Sequence, residues 1–215
     1  RDAAFLRRYP HQLSGGQQQR IGIAMAFIIR PAVIVLDEPT TGLDVTTQNR
    51  ILEVVRHLCD HHRVGALHVT HDLSVISALA DRIMVMYSGR SIEVGRVVEV
   101  FDNPRHPYTQ ALLNAVPELQ RRNSLVSIAG QPARPNQRPA GCFFAPRCAL
   151  ADDQCRAAPV ALVEEVPGHF VRCLKSGLTA TPYGKTLPDH ADVASPTILA
   201  AEGLKLSYGP LEVLK

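Results

Sequence analysis

Three groups of residues in this chain could do chemistry. Asp37 and Glu38 stand side by side at the end of the apolar run Val33, Ile34, Val35 and Leu36, and His71 follows a second such run, Ala66 to Val69. Acids at the carboxyl end of a buried strand lie where open α/β sheets bind ligands. Upstream, Ser14 stands where a helix N-cap belongs, with Gly15, Gly16 and Gln17 after it, so backbone N–H groups are open to an anion. The third group is Cys142, Cys148, Cys155 and Cys173, spaced C-x5-C-x6-C-x17-C. Structural zinc usually uses tighter pairs, whereas iron-sulfur clusters accept irregular spacing, so spacing alone leaves zinc and a cluster both open.

The elements that must position these groups follow from periodicity. Ile21, Ala24, Met25 and Ile28 recur at helical spacing, which predicts a helix from about Gly16 to Ile29 with those residues inward and Pro31 as its stop. Val33 to Leu36 then reads as a strand covered on both faces of a parallel sheet. From the N-cap candidate Asp44 a second helix buries Ile51, Leu52, Val55, Leu58 and Cys59, and a third starts at Asp72 or Leu73 with Leu73, Ile76 and Leu79 inward. Ile83 to Tyr87 and Ser91 to Val94 flank Ser88-Gly89-Arg90 as a hairpin, followed by short helices at Val97 to Phe101 and Pro107 to Val116.

Composition narrows the class. The 215 residues, 46% hydrophobic and 20% charged, are ordinary for a globular protein. No apolar run is long enough to cross a bilayer and the first residues form no signal region, so the chain reads as soluble and unexported. A net charge of +3 with scattered Lys and Arg argues against a nucleic-acid surface. Five cysteines without a secretory signal favour reduced thiols or a metal site over disulfides.

The ordered set LSGGQ at Leu13 to Gln17, VIVLDEPTTGLD at Val33 to Asp44 and VTHD at Val69 to Asp72 resembles the ATP-binding-cassette family. It is similar to that family's signature motif, Walker B strand with the following glutamate, D-loop and switch histidine. Each piece alone has a plainer reading: acids at a sheet edge, a turn and cap, an interior histidine. Together and in order they carry the resemblance. It implies ATP and Mg²⁺ as cofactors, with Asp37 holding the metal, Glu38 polarising the attacking water and His71 meeting the γ-phosphate. Ser14, Gly15, Gly16 and Gln17 would face the nucleotide of a partner domain, and Asp44 would link the two halves. Phosphoryl transfer asks mainly for charge neutralisation and an aligned water, which suits these residue types.

NPRHPYTQALL at Asn103 to Leu113 looks like the tail of the peptide-importer branch, and Gly141 to Leu174 like the C-terminal region of oligopeptide and dipeptide importer ATPases, whose cysteines can ligate a 4Fe-4S cluster. By that resemblance the four cysteines are expected to hold such a cluster, with Zn²⁺ or unmetallated thiols as alternatives. Ile198 to Tyr208 resembles the opening strand of another cassette, where Tyr208 would stack on adenine. Gly184, Lys185 and Thr186 imitate a phosphate loop, but Thr179 replaces its first glycine and Pro182 stiffens it, so this stretch reads as linker.

The expected fold is therefore α/β: a partial P-loop NTPase-type cassette with a parallel sheet and helices, plus a loop-rich cysteine-cluster region. Its expected units are 1–96, the C-terminal part of a first nucleotide-binding domain; 97–175, the importer-type region; 176–196, a linker; and 197–215, the start of a second domain. With no phosphate loop before the signature, the chain is expected to be the middle of a two-cassette polypeptide, inactive alone. The resemblance implies an ABC importer ATPase for oligopeptides or dipeptides, peripheral on the cytoplasmic face of the cell membrane. Its partners would be a second nucleotide-binding domain, fused or separate, transmembrane permease subunits and a substrate-binding protein, with no nucleic acid. Nickel or glutathione cargo, or a metal-binding interaction module on an inactive cassette, are the alternatives.

Overall fold

The computed structural model describes residues 5–116, 128–178, 206–208 and 211–214. Helix α1 spans Gly15–Ile28. Ser14 begins it with a capping box: its hydroxyl accepts the Gln17 N–H at 3.4 Å, and Gln17 Oε1 accepts the Ser14 N–H at 2.9 Å. Arg30, in left-handed backbone at φ +48, and Pro31 close it. The inward face is not the expected one. Gly16 and Ile23 are buried and Phe27 packs against the core that holds Ile23, whereas Met25 is 67% and Ile28 81% exposed. The second half of α1 is apolar almost all round, so periodicity cannot choose a face. Close approach chooses it instead, since a Cβ on Gly16 would stand 2.7 Å from Thr47 Cγ2.

Strand β1 (Val33–Asp37), helix α2 (Val45–His62) and strand β2 (Gly65–Val69) form a β-α-β unit. The strands pair in parallel, Val33 with Gly65 through Asp37 with Val69. Asp44 caps α2, its carboxylate accepting the Thr47 N–H at 2.9 Å. Ile23, Ile34, Ile51, Val55 and Val64 make the core, with Leu58 and Cys59 against it. The expectation of a strand covered on both faces fails: Val33, Val35, Leu67 and Val69 share one face of the pair and are exposed. No described element covers that face.

Helix α3 (Leu73–Leu79) is capped by Asp72, and its buried residue is Val75, with Leu73, Ile76 and Leu79 only half-buried. Strands β3 (Arg82–Tyr87) and β4 (Arg90–Arg96) form the expected hairpin, turning through Ser88 and Gly89 at φ +47 and +82. Helices α4 (Val97–Asp102) and α5 (Pro107–Asn114) follow. After α6 (Asp153–Ala157), β5 (Val163–Val166) and β6 (His169–Val171) complete an antiparallel sheet in the order β3-β4-β6-β5. Residues on both sides of position 96 thus share one sheet. Its core gathers Ile83, Val85, Tyr87, Ile92, Val97, Val100, Ala111 and Phe144.

Strands β7 (Leu206–Tyr208) and β8 (Leu211–Leu214) pair antiparallel. The expected second-cassette strand is described only from Leu206, and the Tyr208 side chain, the linker beyond 178 and Gly184-Lys185-Thr186 lie outside the described residues.

Candidate functional site

Parallel pairing of β1 and β2 brings their carboxyl ends to one edge, where Asp37 is level with Val69. One residue on, the Glu38 N–H donates to the Val69 carbonyl at 2.9 Å, extending the ladder past the strand. Glu38 itself sits at φ +45, a region that side-chain-bearing residues rarely adopt. That backbone turn sets its carboxylate against the start of the next loop. Oε1 accepts the His71 N–H at 3.2 Å and lies 2.7 Å from His71 Nδ1, while Oε2 accepts from Thr41 Oγ1 at 3.3 Å.

The pair is open to solvent, His71 at 85% and Glu38 at 36% side-chain exposure. The hydrogen bond to His71 holds the Glu38 carboxyl below its ordinary range, and the same bond pushes the imidazole up. Because water screens it, this bond is weak enough to exchange for another partner. Asp37 is exposed at the same edge. Just behind, Asp72 accepts from the Ser74 N–H at 2.9 Å and from Gln48 Nε2 at 3.2 Å, tying the starts of α2 and α3 together. Thr41 and Gln48 were not legible as partners. Thr41 lies three residues past Glu38, a local signal that a turn could have offered.

The Ser14 turn packs on the start of α2. A Cβ on Gly15 would stand 3.3 Å from Leu43 Cδ2, next to Asp44, so the glycines serve this close approach as well as leaving the helix start bare. The helical ladder begins with Gln17 and Gln18, whose N–H groups donate to the Ser14 carbonyl at 2.9 and 3.0 Å. The N–H groups of Gly15 and Gly16 stand ahead of it. The hydrogen bond to Thr47 holds the Asp44 carboxyl low. Among the described residues no hydrogen bond or ion pair joins Ser14, Gly15, Gly16 or Gln17 to Glu38 or His71.

The four cysteines come together. Cys142, Cys148, Cys155 and Cys173 line one cavity walled by Phe144 and Val160. The Cys142 N–H donates to the Cys155 carbonyl at 2.8 Å, and Gly141 packs so closely on the backbone of Cys155 and Arg156 that a Cβ would meet Arg156 C at 2.8 Å. The Lys175 N–H donates to Cys173 Sγ at 3.3 Å, and the Phe144 and Ala145 N–H groups favour the Cys142 thiolate. Burial nevertheless pushes the Cys142 and Cys155 thiols up, and that of Cys173 to about 12. Lys175 Nζ, 2.6 Å from Asp152, holds that carboxyl far below its ordinary range. The expected metal centre finds no support in this geometry, because among the described residues no group of three or more His, Cys, Asp or Glu is placed to hold a metal ion.

Beside the cavity lies a buried polar group that the sequence did not reveal. Glu93, fully buried, accepts the N–H groups of Arg105 at 2.8 Å and His106 at 2.9 Å, and lies 2.8 Å from His169 Nε2. His106 is also buried, and burial lowers its imidazole to about 3.

Comparison with known proteins gives two family matches. Residues 2–41 match the family model for ABC transporters, and residues 92–155 match that described as the oligopeptide/dipeptide transporter C-terminal region. A putative peptide import ATP-binding protein of Brucella ovis is 46% identical over 177 residues, covering 78% of this chain and 52% of that protein. Another from Brucella abortus is 44% identical over 172 residues, covering 80% and 52%. The chain spans about half the length of the curated relatives it matches. A solved dimeric ATP-binding cassette in a post-hydrolysis state with ADP and Pi is 33% identical at a TM-score of 0.40, covering 45% of this chain and 41% of that one. On the two family matches and the identity to these relatives, the chain belongs to the ABC transporter family.

Proposed function

We propose that this chain is part of the ATP-hydrolysing subunit of an ABC importer, working at the cytoplasmic face of the membrane to drive uptake of oligopeptides or dipeptides. The observation that carries this reading is the Glu38 to His71 contact at the carboxyl edge of a parallel strand pair, one residue past Asp37. Asp37 holds Mg²⁺ there. Glu38 takes the proton of the attacking water, and His71 turns from Glu38 to the γ-phosphate, a move that an exposed 2.7 Å contact permits. The N–H groups of Gly15 and Gly16, with Ser14 and Gln17, meet the nucleotide of the partner cassette. Asp44 passes the state of one site to the other through the start of α2.

The partner cassette is fused or separate, and if fused begins near Ile198, with Tyr208 under its adenine. Permease subunits and a substrate-binding protein complete the transporter. The bare face of Val33, Val35, Leu67 and Val69 receives the rest of the first nucleotide-binding domain, because parallel strands are normally covered on both sides.

The four cysteines hold a 4Fe-4S cluster. Four thiols lining one cavity are the donor set that a four-cysteine cluster takes, and the Lys175 N–H donating to Cys173 Sγ is the kind of amide contact that orients such a ligand. Such a cluster supplies a covalent cross-link that ties segments distant in sequence.

The test is uptake of a labelled oligopeptide by vesicles carrying the full-length protein with its permease partners. Uptake that rises with ATP on the side of this subunit supports the reading. Uptake indifferent to ATP overturns it.

A further inference from the structure

The His106 ring presents a donor for which the α5 cap gives no account. His106 Nδ1 accepts the Tyr108 N–H at 2.9 Å, the bond that caps α5. A nitrogen that accepts carries no proton, so in the neutral ring the proton sits on Nε2. That nitrogen is buried and has no hydrogen-bond partner among the described residues, although only 1% of the residue is exposed. Buried donors are almost always paired, and an unpaired one calls for a reason. The ring also lines the cavity shared by Cys142, Cys148, Cys155 and Cys173. Apart from the thiols, the other polar side chain on that cavity is Lys175, already paired with Asp152 at 2.6 Å.

We infer that His106 is a positioning residue for the cysteine centre, its Nε2–H donating a hydrogen bond to a sulfur of the group those cysteines hold. This rests on the reading that the cavity takes a sulfur-ligated cluster. His106 is not itself a ligand, because the lone pair that coordination would need is on Nδ1 and faces the Tyr108 N–H. The ring is held in place from behind. Glu93 accepts the backbone N–H groups of both Arg105 and His106, and Phe144 lies beside the imidazole with ring centres 6.0 Å apart. A hydrogen bond to sulfur withdraws electron density and makes a cluster easier to reduce.

The experiment uses full-length protein purified without oxygen. Iron and acid-labile sulfide are assayed first, and wild-type protein lacking both overturns the cluster reading and this inference with it. With cluster present, a reductive titration followed by electron paramagnetic resonance compares wild type, His106→Leu and His106→Gln. The expected result is a more negative potential in His106→Leu, restored in part by His106→Gln, which keeps an N–H. Equal potentials in wild type and His106→Leu overturn the inference while leaving the cluster reading intact. Should His106→Leu fail to fold, pulsed resonance on reduced wild-type protein with ¹⁵N-histidine decides: a weak histidine coupling supports the inference, and its absence overturns it.

Discussion

Glu38 and His71 stand 33 residues apart and meet because β1 and β2 run parallel, their ends level. Each shifts the other in the direction that favours the contact. Glu38 is held below 4.5, so its share of stability is present above that value and is lost as pH falls through the lowered one. His71 is raised above 6.5, so its share is present below 6.5 and is lost as pH rises through the raised value. The ion pair is at full strength between those limits. Titration of the His71 ring protons by NMR is expected to give a pKa above 6.5 in wild type, returning toward 6.5 in Glu38→Gln. An unshifted His71 in wild type would mean that the pair does not form in solution. The acids and the imidazole were legible because each ends an apolar run. His106 and Glu93 were not, because what matters is a contact between distant positions that no local pattern encodes.

At the level of elements, the caps were readable and the faces were not. Ser14 and Asp44 act through side chains that reach only three residues ahead, so residue type alone nominates them. The inward face of α1 depends instead on Gly16 meeting Thr47, a contact between two helices. With Ile21, Ile23, Met25, Phe27 and Ile28 spread around the axis, the sequence offered several faces and packing took one. Gly16→Ala should therefore cost about 1–3 kcal/mol by overpacking against Thr47 Cγ2, read as a shift of the denaturant midpoint. Adding Thr47→Ser, which deletes that methyl and keeps the hydroxyl, should recover most of the loss. No recovery would place the role of Gly16 elsewhere.

Across the whole molecule, one sheet joins residues 82–96 to 163–171, on both sides of the expected boundary at residue 96. The hairpin was legible from its turn. Its continuation into β6 was not, because that pairing joins positions far apart in sequence, Glu93 with Val171 and Val94 with Phe170. The apolar face left bare on β1 and β2 likewise carries a pattern that made sense as buried strand, yet burial needs a covering partner, and none lies among the described residues.

The proposed ATP hydrolysis depends on Glu38 acting on water at a nucleotide held at this edge. Its most direct test is the rate of ATP hydrolysis by the full-length protein carrying Glu38→Gln, with the other composite site disabled. Loss of a general base predicts ATP binding retained and turnover lowered at least about tenfold, where such a group typically contributes about 10² to 10⁴. Turnover equal to that of the same protein with Glu38 restored would contradict the account.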